Sequence, residues 1–257
     1  MGGSALAPGA SGGLDTAMAR LFVPRERLQG DHATLDASAH RHLIKVLRLG
    51  PGASLRLFDG AGTEIEATIA AVGKASVEVT LGTRRQIPAP ACSITLLQSL
   101  PRGERMDLIV QKTTELGVTA IVPVHSEHGM AKPPAHRRRR WQTIAEEAAR
   151  QCGRADVPTV DGPGLLGPTL ARFADWPGSR YLVWEGEHGR SLRAALASAG
   201  RQVCLLVGPE GGFSTAEVAL CTASGFAAVG LGPRVLRSET AAIVAVALAQ
   251  AAGGGLE

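Results

Sequence analysis

Hydrophobic and polar positions alternate with a period of two in the first third of the chain and change rhythm after residue 90. The stretches 20–23, 54–58, 64–69 and 76–81 carry apolar side chains at alternate positions, as in Leu55 and Leu57 or Ile65, Ala67 and Ile69. Such strands bury one face only. Asp59-Gly60 is a turn signal between two of them, and only residues 37–49 read as helix in this half. A small β-barrel over residues 20–86 is the expected solution, because closure removes edge strands. Residues 86–90, Gln-Ile-Pro-Ala-Pro, read as a stiff linker.

Beyond the linker, strand and helix patterns alternate. Strands are expected at 93–100, 118–124, 181–184, 203–207 and 227–231, and helices at 104–116, 137–151 and 239–251. The helix at 104–116 sets Met106, Ile109, Val110, Thr113 and Leu116 on one face. The last helix is apolar nearly all round, which predicts burial against the sheet or against a partner subunit. Residues 91–254 therefore read as a parallel, doubly wound α/β domain. Residues 1–19 have neither a basic n-region nor an apolar h-region, so they read as a disordered leader and not a signal peptide.

A chain of 257 residues with 45% hydrophobic and 19% charged positions has ample material for a core, in one large domain or two smaller ones. The net charge of +4 is carried by 23 arginines against 4 lysines. Arginine suits bidentate phosphate contacts, but a GC-rich coding sequence produces the same bias. No run of about 18 apolar residues predicts a membrane span. Cys92, Cys152, Cys204 and Cys221 have no metal or redox spacing, which predicts reduced thiols in the cytoplasm. His125 and His128 have no third ligand beside them, so they read as solvated loop histidines and no metal is expected.

Two clusters of cations invite an RNA reading. His136 precedes Arg137, Arg138, Arg139 and Arg140 at a helix start, where positive charge opposes the helix dipole. A solvated patch and a phosphate contact both remain open for it. His42, Lys45 and Arg48 form a second, smaller patch on the helix of the barrel half.

Glycine patterns carry the candidate chemistry. A literal GxGxxG stands at Gly162, Gly164 and Gly167, but residues 157–160 make a poor strand and Pro163 and Pro168 stiffen the turn, so a Gly/Pro surface loop is expected instead of a dinucleotide site. The stronger signal is a pair of strand-to-helix loops. Cys-Leu-Leu-Val-Gly-Pro-Glu-Gly-Gly-Phe-Ser at 204–214 runs from a buried strand into a helix, with Ser214 and Glu217 spaced as a capping box. Val-Gly-Leu-Gly-Pro-Arg-Val-Leu-Arg-Ser-Glu-Thr-Ala at 229–241 repeats the arrangement. Two such loops open at the C-terminal edge of one sheet, where open α/β proteins bind ligands.

Those two loops, with His-Leu-Ile-Lys-Val-Leu-Arg at 42–48, Arg-Gly-Glu-Arg-Met-Asp at 102–107, Gln-Lys-Thr-Thr-Glu-Leu-Gly at 111–117 and Glu-Ala-Ala-Arg-Gln-Cys-Gly-Arg at 147–154, resemble the 16S ribosomal RNA (uracil-N3) methyltransferase family of the SPOUT superfamily. Six motifs stand in register, and the likeness spans residues 20–251. The resemblance implies a PUA-like RNA-binding barrel over 20–86 and a SPOUT domain with a deep trefoil knot over 91–254. It implies a homodimer, S-adenosylmethionine as cofactor, and a specific uridine of 16S rRNA in the decoding centre of the small ribosomal subunit as substrate. The cofactor would meet Val183, Glu185, Val207, Gly208, Glu210, Gly211, Leu231, Gly232, Leu236, Arg237, Glu239 and Thr240. Glycines let backbone groups approach an adenine edge, and Leu231 and Leu236 could sandwich the ring. Catalysis calls for a cation beside the uracil oxygens, for which Arg237 and Arg154 are the candidates, with Glu210 as an orienting or proton-accepting group. Cys152 reads as structural and not as a nucleophile. A ribose 2′-hydroxyl methyltransferase of the same fold, and a non-catalytic RNA-binding or assembly factor, are the alternatives.

Overall fold

The protein is described by a computed structural model covering residues 18–130 and 137–256. Most of the expected leader, and His136 of the basic run, lie outside the described residues.

The N-terminal half holds strands β1 (Ala19–Phe22), β2 (His32–Leu35), β3 (Ser54–Phe58), β4 (Thr63–Val72) and β5 (Val77–Gln86). Their order is β1-β3-β4-β5-β2, with β1 parallel to β3 and the other ladders antiparallel. The alternating positions converge as expected, since Leu55, Leu57, Ile65, Ala67, Ile69, Val77, Val79 and Leu81 share one buried core. Among the described residues no ladder joins β1 to β2, although Leu21 of β1 and Ala33 and Leu35 of β2 share one core. Helix α1 (Ala37–His40) is capped by Asp36 and runs on as a π-type turn over Arg41–Val46, sending Leu43 into the same core. β2 does not stand out in the sequence because its buried face consists of Ala33 and Leu35 alone, a weak apolar signal. β5 outruns its apolar stripe for a different reason: the backbone ladder continues to Gln86 past exposed side chains.

The C-terminal half contains β6 (Ser93–Ser99), α2 (Arg105–Glu115), β7 (Ala120–His125), α3 (Arg137–Cys152), β8 (Thr159–Val160), β9 (Gly164–Leu165), α4 (Leu166–Ala171), β10 (Ser179–Val183), α5 (Leu192–Leu196), β11 (Gln202–Val207), α6 (Thr215–Ala223), β12 (Ala227–Val229) and α7 (Ser238–Ala252). The sheet order is β12-β10-β11-β6-β7-β8, with β9 also on β7, and every ladder is parallel. Strand residues divide between two cores. Ile94, Leu96, Tyr181, Val183, Val203, Leu205 and Val207 face the α2, α5 and α7 side, whereas Leu97, Leu182, Cys204 and Leu206 face α4 and α6. Burial on both faces explains the unbroken apolar runs of the strands. The capping box is present, with Ser214 Oγ accepting from Glu217 N and the Glu217 carboxylate accepting from Ser214 N.

The 162–167 segment departs from the expected plain loop. It holds β9 and opens α4, but none of its three glycines takes a positive φ, and a Cβ on Gly164 would press on Thr169 Oγ1 at 2.8 Å. Here glycine serves close packing.

The two halves are tied at the end of α3. Arg20 pairs with Glu64 at 2.8 Å and donates to the Arg154 carbonyl at 3.2 Å, while Phe58, Ala149 and Ala155 share a small buried cluster. Ile87 N–H donates to the Gly62 carbonyl at 2.8 Å, which pins the start of the linker to the barrel.

Candidate cofactor cleft and basic groove

Parallel strands align their carboxyl ends, and β12, β10 and β11 are neighbours, so the loops that follow them meet at one edge. They line a cleft that is partly open to solvent. Val183 and Val207 form its floor at the strand ends, with Trp184 and Glu185 after β10. Gly208, Pro209, Glu210 and Gly212 line it after β11, and Leu231, Gly232, Arg234, Val235 and Leu236 after β12. Ser238 and Ala241 on the first turn of α7 complete it.

Backbone shape explains the glycines. Gly212 has φ +68° and Gly232 φ +107°, conformations that side chains resist. A Cβ on Gly208 would press on the Phe213 ring at 3.2 Å, whereas one on Gly232 would meet nothing within 4 Å and would stand in open space at the cleft.

Hydrogen bonds that run from the buried Gln98–Ser238 contact to exposed contacts of Glu210 tie the two loops to β6 and α2. Ser238 Oγ donates to the Gly208 carbonyl at 2.6 Å and accepts from Gln98 Nε2 at 3.0 Å. Glu210 accepts from the Arg102 N–H at 3.1 Å and pairs with the Arg105 guanidinium. Burial works against its ionised form, but these donors and its own backbone N–H outweigh that, and the carboxyl is held below the usual carboxylate range. On the far side, His128 Nδ1 lies 3.1 Å from the Gly211 carbonyl, so this residue is a partner of the glycine turn and not a merely solvated histidine.

Of the residues expected at the cofactor, Val183, Glu185, Val207, Gly208, Glu210, Leu231, Gly232 and Leu236 line the cleft. Gly211 turns toward His128, where its Cβ would meet the histidine Cβ at 2.8 Å. Arg237 is the exposed N-cap residue of α7, with Thr240 exposed on the first turn, and Glu239 is buried with its carboxylate 3.7 Å from Arg105 Nε. Arg154 is not brought to the cleft of its own chain. It donates to the Thr114 carbonyl at 2.7 Å and pairs with Asp156 at 2.5 Å, at the junction with the barrel. A motif shows that an arginine stands there but not which strand end it lies beside. Trp184, Pro209, Gly212, Arg234, Val235, Ser238 and Ala241 also line the cleft without having been expected there, and all but Arg234 stand next to an expected residue.

The two basic patches meet across a groove between the barrel and α3, lined by Arg27, Arg41, His42, Arg139, Glu146, Glu147 and Arg150 among others. Their charges are unequally available. Arg140 pairs with Asp107, to which Trp141 Nε1 also donates, and Arg138 donates to the Val160 carbonyl. These contacts offset cations at a helix start without any phosphate. Arg137 is half-buried, while Lys45 and Arg48 are exposed beyond the groove. Burial, then repulsion from Arg150, lowers the pKa of His42. Cys152 is half-buried and its thiol is pushed up by burial, the opposite of an activated nucleophile. Among the described residues no cluster of three metal-ligating side chains occurs, and no helix is long and apolar enough to cross a membrane.

A parallel-sheet domain with a glycine-built cleft, joined to a small mixed-sheet barrel, is the architecture of RNA methyltransferases with a PUA domain. Residues 88–250 match the model of the RNA methyltransferase domain, and residues 35–82 that of the RNA methyltransferase PUA domain. The chain is 34% identical over 232 residues to ribosomal RNA small subunit methyltransferase E of Synechocystis sp., covering 89% of this chain and 76% of that protein. It is 33% identical to the protein of that name from Mycobacterium bovis, over 84% of this chain and 85% of the relative. The structure is similar to the Neisseria gonorrhoeae methyltransferase E bound to S-adenosyl methionine, with TM-score 0.82, 33% identity, and coverage of 91% and 97%. A Legionella pneumophila methyltransferase in complex with the bound cofactor SAM is likewise similar, with TM-score 0.82, 34% identity, and coverage of 91% and 98%. The chain belongs to the ribosomal RNA small subunit methyltransferase E family.

Proposed function

We propose that this protein methylates N3 of a uridine in the 16S rRNA of the small ribosomal subunit, using S-adenosylmethionine. The observation that carries the cofactor half of the reading is the glycine-built cleft, matched in fold and coverage by relatives that hold this cofactor. S-adenosylmethionine supplies an electrophilic methyl group on sulfonium. The chain's own work is to bind, to orient and to stabilise charge. Gly208, Gly212 and Gly232 let main-chain groups approach the ligand without a side chain between, and Leu231 and Leu236 offer apolar faces to a purine ring.

Uracil N3–H is a weak acid, so the acceptor base must be favoured as its anion. Arg237 fits this task. It is exposed at the N-terminus of α7, whose dipole adds partial positive charge, and among the described residues it has no carboxylate partner. Glu210 is assigned to orientation and not to proton transfer, because its carboxylate is already engaged by Arg102 and Arg105.

The reading extends to RNA held by the PUA-like domain of residues 20–86 and the groove beside α3, to a SPOUT domain over 91–254, and to a cytoplasmic homodimer. Half-exposed Ile243 and Val244 on α7 support a subunit contact. A knotted path is supported by the return of the chain: β12 lies at the sheet edge, yet Ser238 comes back to Gly208 and Gln98 across the ends of β10 and β11.

Mass spectrometry of 16S rRNA nucleosides from a deletion strain tests the reading. Loss of 3-methyluridine, restored by the wild-type gene, is the expected result. Loss of a 2′-O-methyl nucleoside with 3-methyluridine intact would overturn it.

A further inference from the structure

The segment 98–105, from the last turn of β6 into α2, touches both glycine loops. Gln98 reaches Ser238, which in turn holds the Gly208 carbonyl. The Arg102 N–H and the Arg105 guanidinium both reach Glu210 in the first loop. Arg105 also lies 3.7 Å, through Nε, from Glu239 in the first turn of α7. Glu239 Oε2 is buried and has no hydrogen-bond partner, so among the described residues Arg105 is the one cation close to that carboxylate.

We infer that Arg105 is a positioning residue that sets the spacing of the two cofactor loops through its simultaneous contacts with Glu210 and Glu239. The inference rests on the methyltransferase reading above and assigns Arg105 no contact with substrate.

Three physical points support it. The glycine positions of the cleft present main-chain groups, which cannot adapt by rotamer changes, so ligand affinity depends on how far apart the loops stand. Each loop carries a carboxylate facing the same side chain, and two carboxylates without a cation between them would repel and spread the loops. A guanidinium can hold both because its donors point in fixed, divergent directions from a planar fork, whereas an ammonium acts as a single point charge. An ordinary surface ion pair would predict little. The Arg105 side chain is 40% exposed and Glu210 is an exposed residue, but the Glu239 side chain is only 12% exposed, so one of the two acidic ends is not a surface group.

Calorimetric titration of S-adenosylmethionine into the full chain tests this with wild type, Arg105→Gln and Arg105→Lys, alongside thermal melts and hydrogen exchange of residues 209–213 and 238–242. Arg105→Gln should raise the Kd about tenfold and speed exchange in both loops. Arg105→Lys should retain the Glu210 contact and raise the Kd about threefold. Leaving the buried Glu239 carboxylate without its cation should also lower the melting temperature of Arg105→Gln, so the titration is run well below it. A Kd for Arg105→Gln within twofold of wild type, or a rise matched by general loss of stability at the temperature of titration, would overturn the assignment. Failure of the wild type to bind the cofactor at millimolar concentration would overturn the methyltransferase reading itself.

Discussion

The sheet-edge cleft and the groove beside α3 recruit binding groups in opposite ways. In the cleft, strand ends and a part-buried hydrogen bond from Ser238 fix main-chain atoms, and the nearby cations Arg234 and Arg237 have no carboxylate partners among the described residues. In the groove the binding groups are side chains, and several are already committed: Arg27 to Asp36 at 3.2 Å and Arg150 to Glu147 at 2.7 Å. Arg41 and Arg139 have no such partner among the described residues. The cleft therefore suits one small ligand of defined shape. The groove can follow a phosphate backbone only with the charge its own carboxylates leave over.

Substitutions on the two sides should separate the roles. The largest effect is expected for Arg237→Ala, which should lower methyl transfer to small subunits by about 100-fold or more while leaving the melting curve unchanged. Near-normal turnover would remove Arg237 from the mechanism. Next comes Ser238→Ala, which leaves the Gly208 carbonyl and Gln98 without their shared partner. It should cost about 1–3 kcal/mol of stability by denaturant titration and weaken cofactor binding as well. Arg139→Ala should leave the cofactor Kd unchanged, weaken RNA binding severalfold, and reduce the slope of log K against log salt by about 1. An unchanged salt slope would sever the groove from RNA.

The smallest effect concerns Glu146 on the groove wall. Burial, then repulsion from Glu147, raises its pKa. A raised carboxyl pKa means that the folded state holds the proton more tightly than the unfolded chain. Its stabilising contribution is present at low pH and is lost as pH rises through the folded value. Glu146→Gln should therefore raise the melting temperature slightly at pH 7 and leave it unchanged near pH 4. A lower melting temperature at pH 7 would show the carboxylate to be favourably paired.

Much of this architecture is legible in the sequence, for identifiable reasons. Leu55, Leu57, Ile65, Ala67 and Ile69 announce a one-sided sheet because alternation follows from the pleat. Val203 to Val207 announce a strand buried on both faces. Ser214 and Glu217 mark a helix start through local hydrogen bonds three residues apart. Positions decided by long-range contacts were harder to read. Arg138 and Arg140 could be read as solvated or as phosphate ligands, whereas the fold gives them to the Val160 carbonyl and to Asp107.

The sequence by itself determined the strand and helix rhythm, the capping box and the two glycine loops, because each depends on neighbours a few residues apart. Only the tertiary structure decided which loops share an edge, since the order β12-β10-β11-β6 is not the order of the chain. It moved Arg154 to the barrel junction and linked Gly208 to Ser238, thirty residues away. It also brought Arg105 between Glu210 and Glu239. Such pairings arise from how parallel crossovers stack, and local periodicity carries no record of that.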